Sequence, residues 1–419
     1  MMRAALCMVL LACACSAAAE PSVELFHYDV RATFTPGGDL AADVTVTLPA
    51  GVAPEHEFVL SRRFELEPVE LGQRGGQVTV EPKEQRPLGE LHSIRVRLAQ
   101  SPTRPATVRF RYHGPVFASD EQDRLGYTPE CIEMALELMW LPFVAQLNQR
   151  FSVDADMRGV PADMIVVAQG AVRHKGDRVR IKRRVGDFDF AWTAVRGLKV
   201  ASAPGVEFYA RDLDDPLAQV LRKHALAAAR FHQQWFGPLP GGPIRLALVP
   251  RKAGGAYARV GYTVIAEGRA PGDPPAEIDE LSRAATVAHE FAHAWWSPAD
   301  PLSEDYWLAE SIAQYSSWRY LEATFGRERL DAELGKARVA VKEMGPVLGH
   351  GRPSRGVLYT KTPLLLMDLE KQIGREQFDR VLHTLAQRPP RKTQEFMSVL
   401  REIAGRQAAL DFESWLRAG

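Results

Sequence analysis

The sequence predicts an α+β protein in two parts: an antiparallel, sandwich-like β domain over residues 20–212, then a mainly helical domain with a small sheet over 213–419. Three observations lead there. Short runs with apolar residues at every second position crowd residues 22–210, whereas the chain beyond them reads mostly as helix. About 400 residues beyond the leader are also too many for one ordinary core, because single cores stop growing at a few hundred residues.

The elements follow in order. ADVTVTLP (42–49), QVTVEP (77–82), HSIRVRLA (92–99) and ATVRFRYHG (106–114) alternate apolar and polar residues between Gly- and Pro-containing turns, the pattern of strands with one buried face. DPLAQVLRKHALAAARFHQQWFG (215–237) opens the second part as a helix, and IRLALVP (244–250) follows as a strand. The Pro/Gly-rich loop EGRAPGDPP (267–275) leads into Leu281–Trp296, LSRAATVAHEFAHAWW, which contains neither Pro nor Gly and is rich in Ala. After PADPLSEDY comes a second helical segment, WLAESIAQYSSWRYLEATFG (307–326), and helices continue to the closing FESWLRAG.

The leader MMRAALCMVLLACACSAAAE has one Arg, a short apolar run and a small-residue exit, the parts of an export signal over residues 1–19. Two cleavage readings compete. LLAC ending at Cys13 resembles a bacterial lipobox, which would make Cys13 a lipidated N-terminus; Ala17-x-Ala19 fits an ordinary cut before Glu20. Either path implies export, to the bacterial periplasm or to the outer membrane as an anchored lipoprotein, with no transmembrane span in the mature chain. Cys131 has no evident partner and reads as a small buried hydrophobe. The 52 basic and 52 acidic residues balance, which gives no electrostatic case for nucleic acid.

The chemistry concentrates in HEFAHAWW (289–296). His289 and His293 are four residues apart, so a helix puts both imidazoles on one face, roughly 6 Å apart along the axis, where they can share a zinc ion. Glu290 then lies beside the metal and can take a proton from zinc-bound water. Catalytic zinc usually has three protein ligands and an open position. Glu310 is the candidate third. The turn between the helices lets them fold back on one another, and Leu308, Ile312 and Tyr315 surround Glu310 with apolar positions. An acidic residue on a buried face needs a partner, which a metal supplies; the alternative is a solvated helix carboxylate.

Here the chain resembles the gluzincin metallopeptidases of the aminopeptidase N and leukotriene hydrolase family. HEFAHAWW, a gap of 16 residues from His293 to Glu310, and WLAESIA stand for the family's HExxH and WLNEGFA, with the connection two residues shorter. The resemblance implies a thermolysin-like second domain, His289, His293 and Glu310 as zinc ligands, and Glu290 as general base. GVLYTKTPLLLMDLEKQIGREQFDRVLHTL (356–385) looks like the family's Y-x-K-G helix, with Tyr359 at the tyrosine that stabilises the tetrahedral intermediate and Thr362 in place of Gly. FSVDADMRGVPADMIVVAQGA (151–171) and DFDFAWTAVRGLKV (187–200) resemble strands of the family's first domain. The family's large C-terminal helical domain, which caps its active site, is not matched.

The family's exopeptidase signature, G-x-M-E-N, is answered by AGGAYARVGYTVIAEGR (253–269), with Tyr257, Ala258 and Arg259 where Met, Glu and Asn are expected. The Glu that would hold a substrate's α-amino group is absent and a cation stands beside the gap. Glu267 is a carboxylate in the same stretch that could substitute, though nothing in the sequence positions it, and the edge strand itself is expected to persist and pair with an extended peptide. The resemblance thus implies a zinc-dependent metallopeptidase acting on peptide or protein substrates, aminopeptidase-like but with dependence on a free N-terminus left open. A binding or assembly protein that keeps a zinc site on a peptidase scaffold is the alternative. Oligomeric state is not legible.

Overall fold

A computed structural model describes residues 25–418 apart from 86–87, 117–127, 148, 270–276, 297–298 and 342–343. The export signal and Cys13 lie outside the described residues. Among the described residues no helix is long and apolar enough to cross a membrane.

Strand Phe26–Phe34 shows how the first domain forms. Phe26, Tyr28, Val30, Ala32 and Phe34 are buried and the residues between them are not, so one face enters the core. It pairs antiparallel with Asp39–Leu48, which pairs in turn with Ala106–Pro115. A second sheet, built on Glu55–Ser61 and Gly89–Arg97, packs its Phe58, Leu60, Ile94 and Val96 into the same core. This is a sandwich, with one departure from the antiparallel pattern. Phe26–Phe34 also pairs in parallel with Phe151–Arg158, because the chain crosses the second sheet before returning beside its first strand. A parallel pair requires such a long connection, and alternation within a strand carries no record of it.

The second domain is built on a five-stranded sheet in the order Lys199–Ala203, Val206–Ala210, Ile244–Val249, Tyr262–Ala266, Ala256–Arg259. The first two strands precede the boundary read at 212–213, yet they share a sheet with the chain after it. Val206–Ala210 alternates in burial as the strands of the preceding domain do, which is why its pattern places it there. Ile244–Val249 and Tyr262–Ala266 are apolar on both faces apart from Arg245 and Thr263, because both faces are covered. Leu246, Leu248 and Ile265 face the helices, while Ala247, Val249, Tyr262 and Val264 face Cys131, Val167 and Val195 of the first domain. Cys131 is a buried free thiol, its pKa pushed up by burial.

Helix α1 (Pro216–Phe236) starts on Asp215, whose carboxylate accepts the Leu217 and Ala218 amides, with Pro216 at the first turn where its missing N–H costs nothing. It packs on α2 (Glu280–Ala292), and α2 packs on α3 (Trp307–Phe325). Helix α3 is buried on nearly every side from Trp307 to Leu321. Each large apolar side chain buried there contributes about 1.5–3 kcal/mol. Its serines are satisfied without water: Ser311 donates to the Leu358 carbonyl at 2.7 Å, and Ser317 to that of Ala285 in α2 at 2.8 Å. These bonds fix α3 against the two segments that carry the remaining site residues.

Candidate metal centre and cleft

Helix α2 begins on Asp279, which accepts the Ser282 amide, and ends at Ala292 with His293 as its C-cap. It stops short of Trp296, where an uninterrupted helix was expected. The Trp295 and Trp296 amides both reach the Ala292 carbonyl, and both rings turn into the core against Phe236 of α1. This early stop has a use. The Trp296 carbonyl comes back to accept the Nδ1–H of His293 at 2.9 Å, which fixes the tautomer and leaves the Nε2 lone pair aimed outward.

His289, His293 and Glu310 converge. His289 Nε2 lies 3.2 Å from His293 Nε2 and 3.4 Å from Glu310 Oε2, and His293 Nε2 lies 3.7 Å from Glu310 Oε2. A tetrahedral zinc with ligands at about 2.0–2.1 Å separates its donor atoms by roughly 3.3 Å, so this triangle has the size such an ion requires. Glu310 Oε2 is buried with no hydrogen-bond partner, as a donor atom kept for a cation would be. The residues present fit zinc.

Electrostatics separates the two carboxylates. Burial pushes Glu290 up to about 7, against the His289 charge, which pulls it down. Burial acts on Glu310 in the same direction, but His293, His289 and the Tyr306 hydroxyl outweigh it and hold Glu310 well below the usual carboxylate range. Of the two, Glu310 is therefore the carboxylate held in its ionised form, and Glu290 the one that holds a proton more tightly than a free carboxylate. Burial lowers His293, whereas for His289 the adjacent Glu310 and Glu290 carboxylates overcome burial and raise it.

Tyr359 reaches this site on a wide turn, Val357–Lys361, that precedes α5 (Thr362–Ile373). Pro363 cannot donate to the Tyr359 carbonyl, so an α-helix cannot run through here and the turn widens. Thr362 is buried and its hydroxyl donates to the Val357 carbonyl at 2.9 Å, which shows how the turn accepts Thr there. The Tyr359 ring stacks on His289 with centroids 5.5 Å apart, and burial together with the nearby Glu310 charge raises the pKa of its phenol, as it does that of Tyr306.

All five residues singled out in the sequence line one cavity of about 170 Å³, with Tyr306, Phe188, Glu137 and the strand Ala256–Arg259. That strand ends its sheet, so its outer edge faces the cleft. A larger concavity of about 640 Å³ lies over the outer face of the first domain, but it is lined by paired Arg and Asp side chains and gathers no comparable chemistry.

Two expectations about the substrate-binding side need correction. Glu267 is not in the cleft: its buried carboxylate is held by Arg211 at 2.9 Å and by Arg269 at 3.3 Å. Nor is Arg259 an unbalanced cation. Its Nε donates to Asp189 at 2.7 Å and its Nη2 to Glu137 at 3.0 Å, both from the first domain. Sequence reasoning missed Tyr306, Glu137, Asp189 and also His232. The last donates from α1 to the Ala288 carbonyl at 2.8 Å, bracing α2 just before His289, and burial lowers its pKa to about 4, so it stays neutral.

Neither family models nor curated protein sequences match the chain. Solved structures do. The M1 zinc metallopeptidase from Deinococcus radiodurans superposes with a TM-score of 0.68 at 19% identity, over 94% of each chain. A mutant of that enzyme bound to a Tyr-Ser-Ala substrate gives 0.66 at 19% over the same shares. Native yeast LTA4 hydrolase gives 0.72 at 16%, over 94% of this chain and 68% of that one. The chain has the fold of the M1 zinc metallopeptidases. With that fold, Ala256–Arg259 is a sheet edge beside a His–His–Glu centre, and the first domain supplies one wall of the cleft.

Proposed function

We propose that this chain is a zinc-dependent metallopeptidase that hydrolyses peptide bonds with an activated water. The observation that carries this is the donor triangle of His289, His293 and Glu310 at zinc spacing, in one cavity with Glu290 and Tyr359. A structural zinc site is closed by a fourth protein ligand, and among the described residues no fourth His, Cys, Asp or Glu joins these three. Zinc held there would supply a Lewis acid that activates water and polarises the scissile carbonyl. Glu290 takes the proton from the attacking water and passes it to the leaving amine. The Tyr359 hydroxyl donates to the carbonyl oxygen as its negative charge develops. The edge strand aligns an extended peptide through backbone hydrogen bonds.

The resemblance points to an aminopeptidase-like enzyme, but the residues that would enforce a free N-terminus are reassigned. Ala258 offers no carboxylate, Glu267 is tied to arginines, and Glu137 is committed to Arg259. Dependence on a free α-amine is therefore expected to be weak. A mixed peptide library, incubated with zinc-loaded protein and read by mass spectrometry, tests both parts. Cleavage is expected, with N-acetylated peptides cut within about tenfold of free ones, a difference under roughly 1.4 kcal/mol. No cleavage refutes the enzyme reading, and strict dependence on a free terminus refutes the weaker claim. The leader adds the proposal that the enzyme is exported, with Cys13 lipidated, which the mass of the mature N-terminal peptide tests.

A further inference from the structure

Four aromatic side chains other than histidine line the cleft, Phe188, Tyr257, Tyr306 and Tyr359, and each carries an arginine over its ring. Arg259 lies 5.1 Å from the Phe188 centroid and 4.9 Å from that of Tyr257, Arg352 lies 5.4 Å from Tyr306, and Arg355 lies 5.0 Å from Tyr359. Four of the seven arginine–aromatic contacts among the described residues thus fall on one small cavity, which marks the cleft as a place where guanidinium groups are gathered.

The three cations differ in what they already hold. Arg259 is buried and matched by Asp189 and Glu137. Arg352 and Arg355 are exposed, on the segment that leads into the Tyr359 turn. Arg352 donates to the Pro301 carbonyl at 2.8 Å, and among the described residues neither side chain pairs with a carboxylate. At the start of that segment the Gly349 amide donates to Glu304, two residues before Tyr306, at 2.7 Å. Two positive charges therefore lie over Tyr306 and Tyr359, rings that line the cleft, at its outer side. A guanidinium stacked on a ring keeps its planar donor fork oriented, so less freedom is lost when it closes on a carboxylate.

We propose that Arg352 and Arg355 recognise a carboxylate carried by the substrate near its scissile bond, so that the enzyme favours acidic peptides. This deepens the peptidase reading and rests on it. The carboxylate belongs to an Asp or Glu side chain or to the C-terminus of a short peptide, and the test separates the two.

The test measures binding with the Glu290→Gln protein, zinc-loaded, so that turnover plays no part. Fluorescence anisotropy compares a peptide containing Glu, its Gln counterpart, both amidated at the C-terminus, and the Gln peptide with a free C-terminal carboxylate. The Glu or the free-carboxylate peptide should bind about three- to tenfold tighter than the neutral one, with the advantage shrinking as salt rises. That advantage should disappear in the Arg352→Gln/Arg355→Gln double variant and return in part with Lys at both positions. An unchanged melting temperature shows that these exposed substitutions leave the fold intact. Equal affinity for charged and neutral peptides, or a preference that survives the double Gln variant, overturns the recognition role and leaves the peptidase reading standing. Failure of every peptide to bind overturns both.

Discussion

The wall of the cleft that carries the candidate metal ligands and the wall proposed to face a substrate are assembled in opposite ways. His289, Glu290 and His293 share the end of one helix, and Glu310 sits in the first turn of the next, so the chemistry comes from neighbouring turns of two packed elements. The substrate wall is assembled across the domain boundary. Arg259 on the edge strand meets Asp189 and Glu137, which lie 70 and 122 residues away in sequence. Arg251 likewise meets Glu133 at 3.0 Å, with 118 residues between them. The proposed catalytic groups and the partners that shape the opposite wall can therefore be altered separately, because the two sets share few residues.

If the walls are separable, breaking one should leave the other. The largest expected effect is on the metal wall. Glu310→Ala should weaken zinc binding by at least about a hundredfold, since it removes a ligand where loss of an outer partner alone typically costs ten- to a hundredfold. Its folding cooperativity should persist. Competition with a chromogenic chelator measures the first and thermal unfolding the second. Zinc held at full affinity would remove Glu310 from the site.

The substrate wall breaks differently. Asp189 is fully buried and pairs with buried Arg259, so Asp189→Ala should destabilise the protein by about 3–5 kcal/mol, the usual result of leaving half a buried pair. Zinc affinity in the fraction that remains folded should stay close to wild type. A matching loss of zinc would show that the walls are coupled after all.

A smaller effect should appear as a pH dependence. Burial pushes Glu133 up to about 7 from an ordinary 4.5, so the folded chain holds its proton more tightly than the unfolded one does. Its contribution to stability is then fully present below about pH 4.5 and is lost as pH rises through 7. Glu133→Gln cannot titrate, so wild-type stability should fall by up to about 3 kcal/mol more than the variant's across that window. Parallel denaturation curves at several pH values would show instead that Arg251 keeps Glu133 ionised.

The same contrast explains what could be read from the chain. His289 and His293 are legible because helical periodicity converts a spacing of four into a shared face. Glu310 is legible as a carboxylate among Leu308, Ile312 and Tyr315, all of which are buried. Tyr359 was found only through resemblance, since the widened turn that delivers it depends on Pro363 and on the packing of α3. Glu137, Asp189 and His232 were not legible. Their roles come from contacts across the fold, and a lone acid or histidine carries no local pattern that distinguishes it. The parallel Phe26–Phe34/Phe151–Arg158 ladder and the hairpin Lys199–Ala203/Val206–Ala210 were missed for a related reason: alternation defines a strand but not its neighbours.

The central claim is that the centre binds zinc through His289, His293 and Glu310 while Glu290 serves proton transfer alone. Zinc content and peptide cleavage measured side by side on wild type and Glu290→Gln test it most directly. One zinc per chain is expected in both proteins, with cleavage in the variant reduced by about a hundred- to ten-thousandfold. Loss of zinc from the variant, or cleavage at the wild-type rate, would contradict the account.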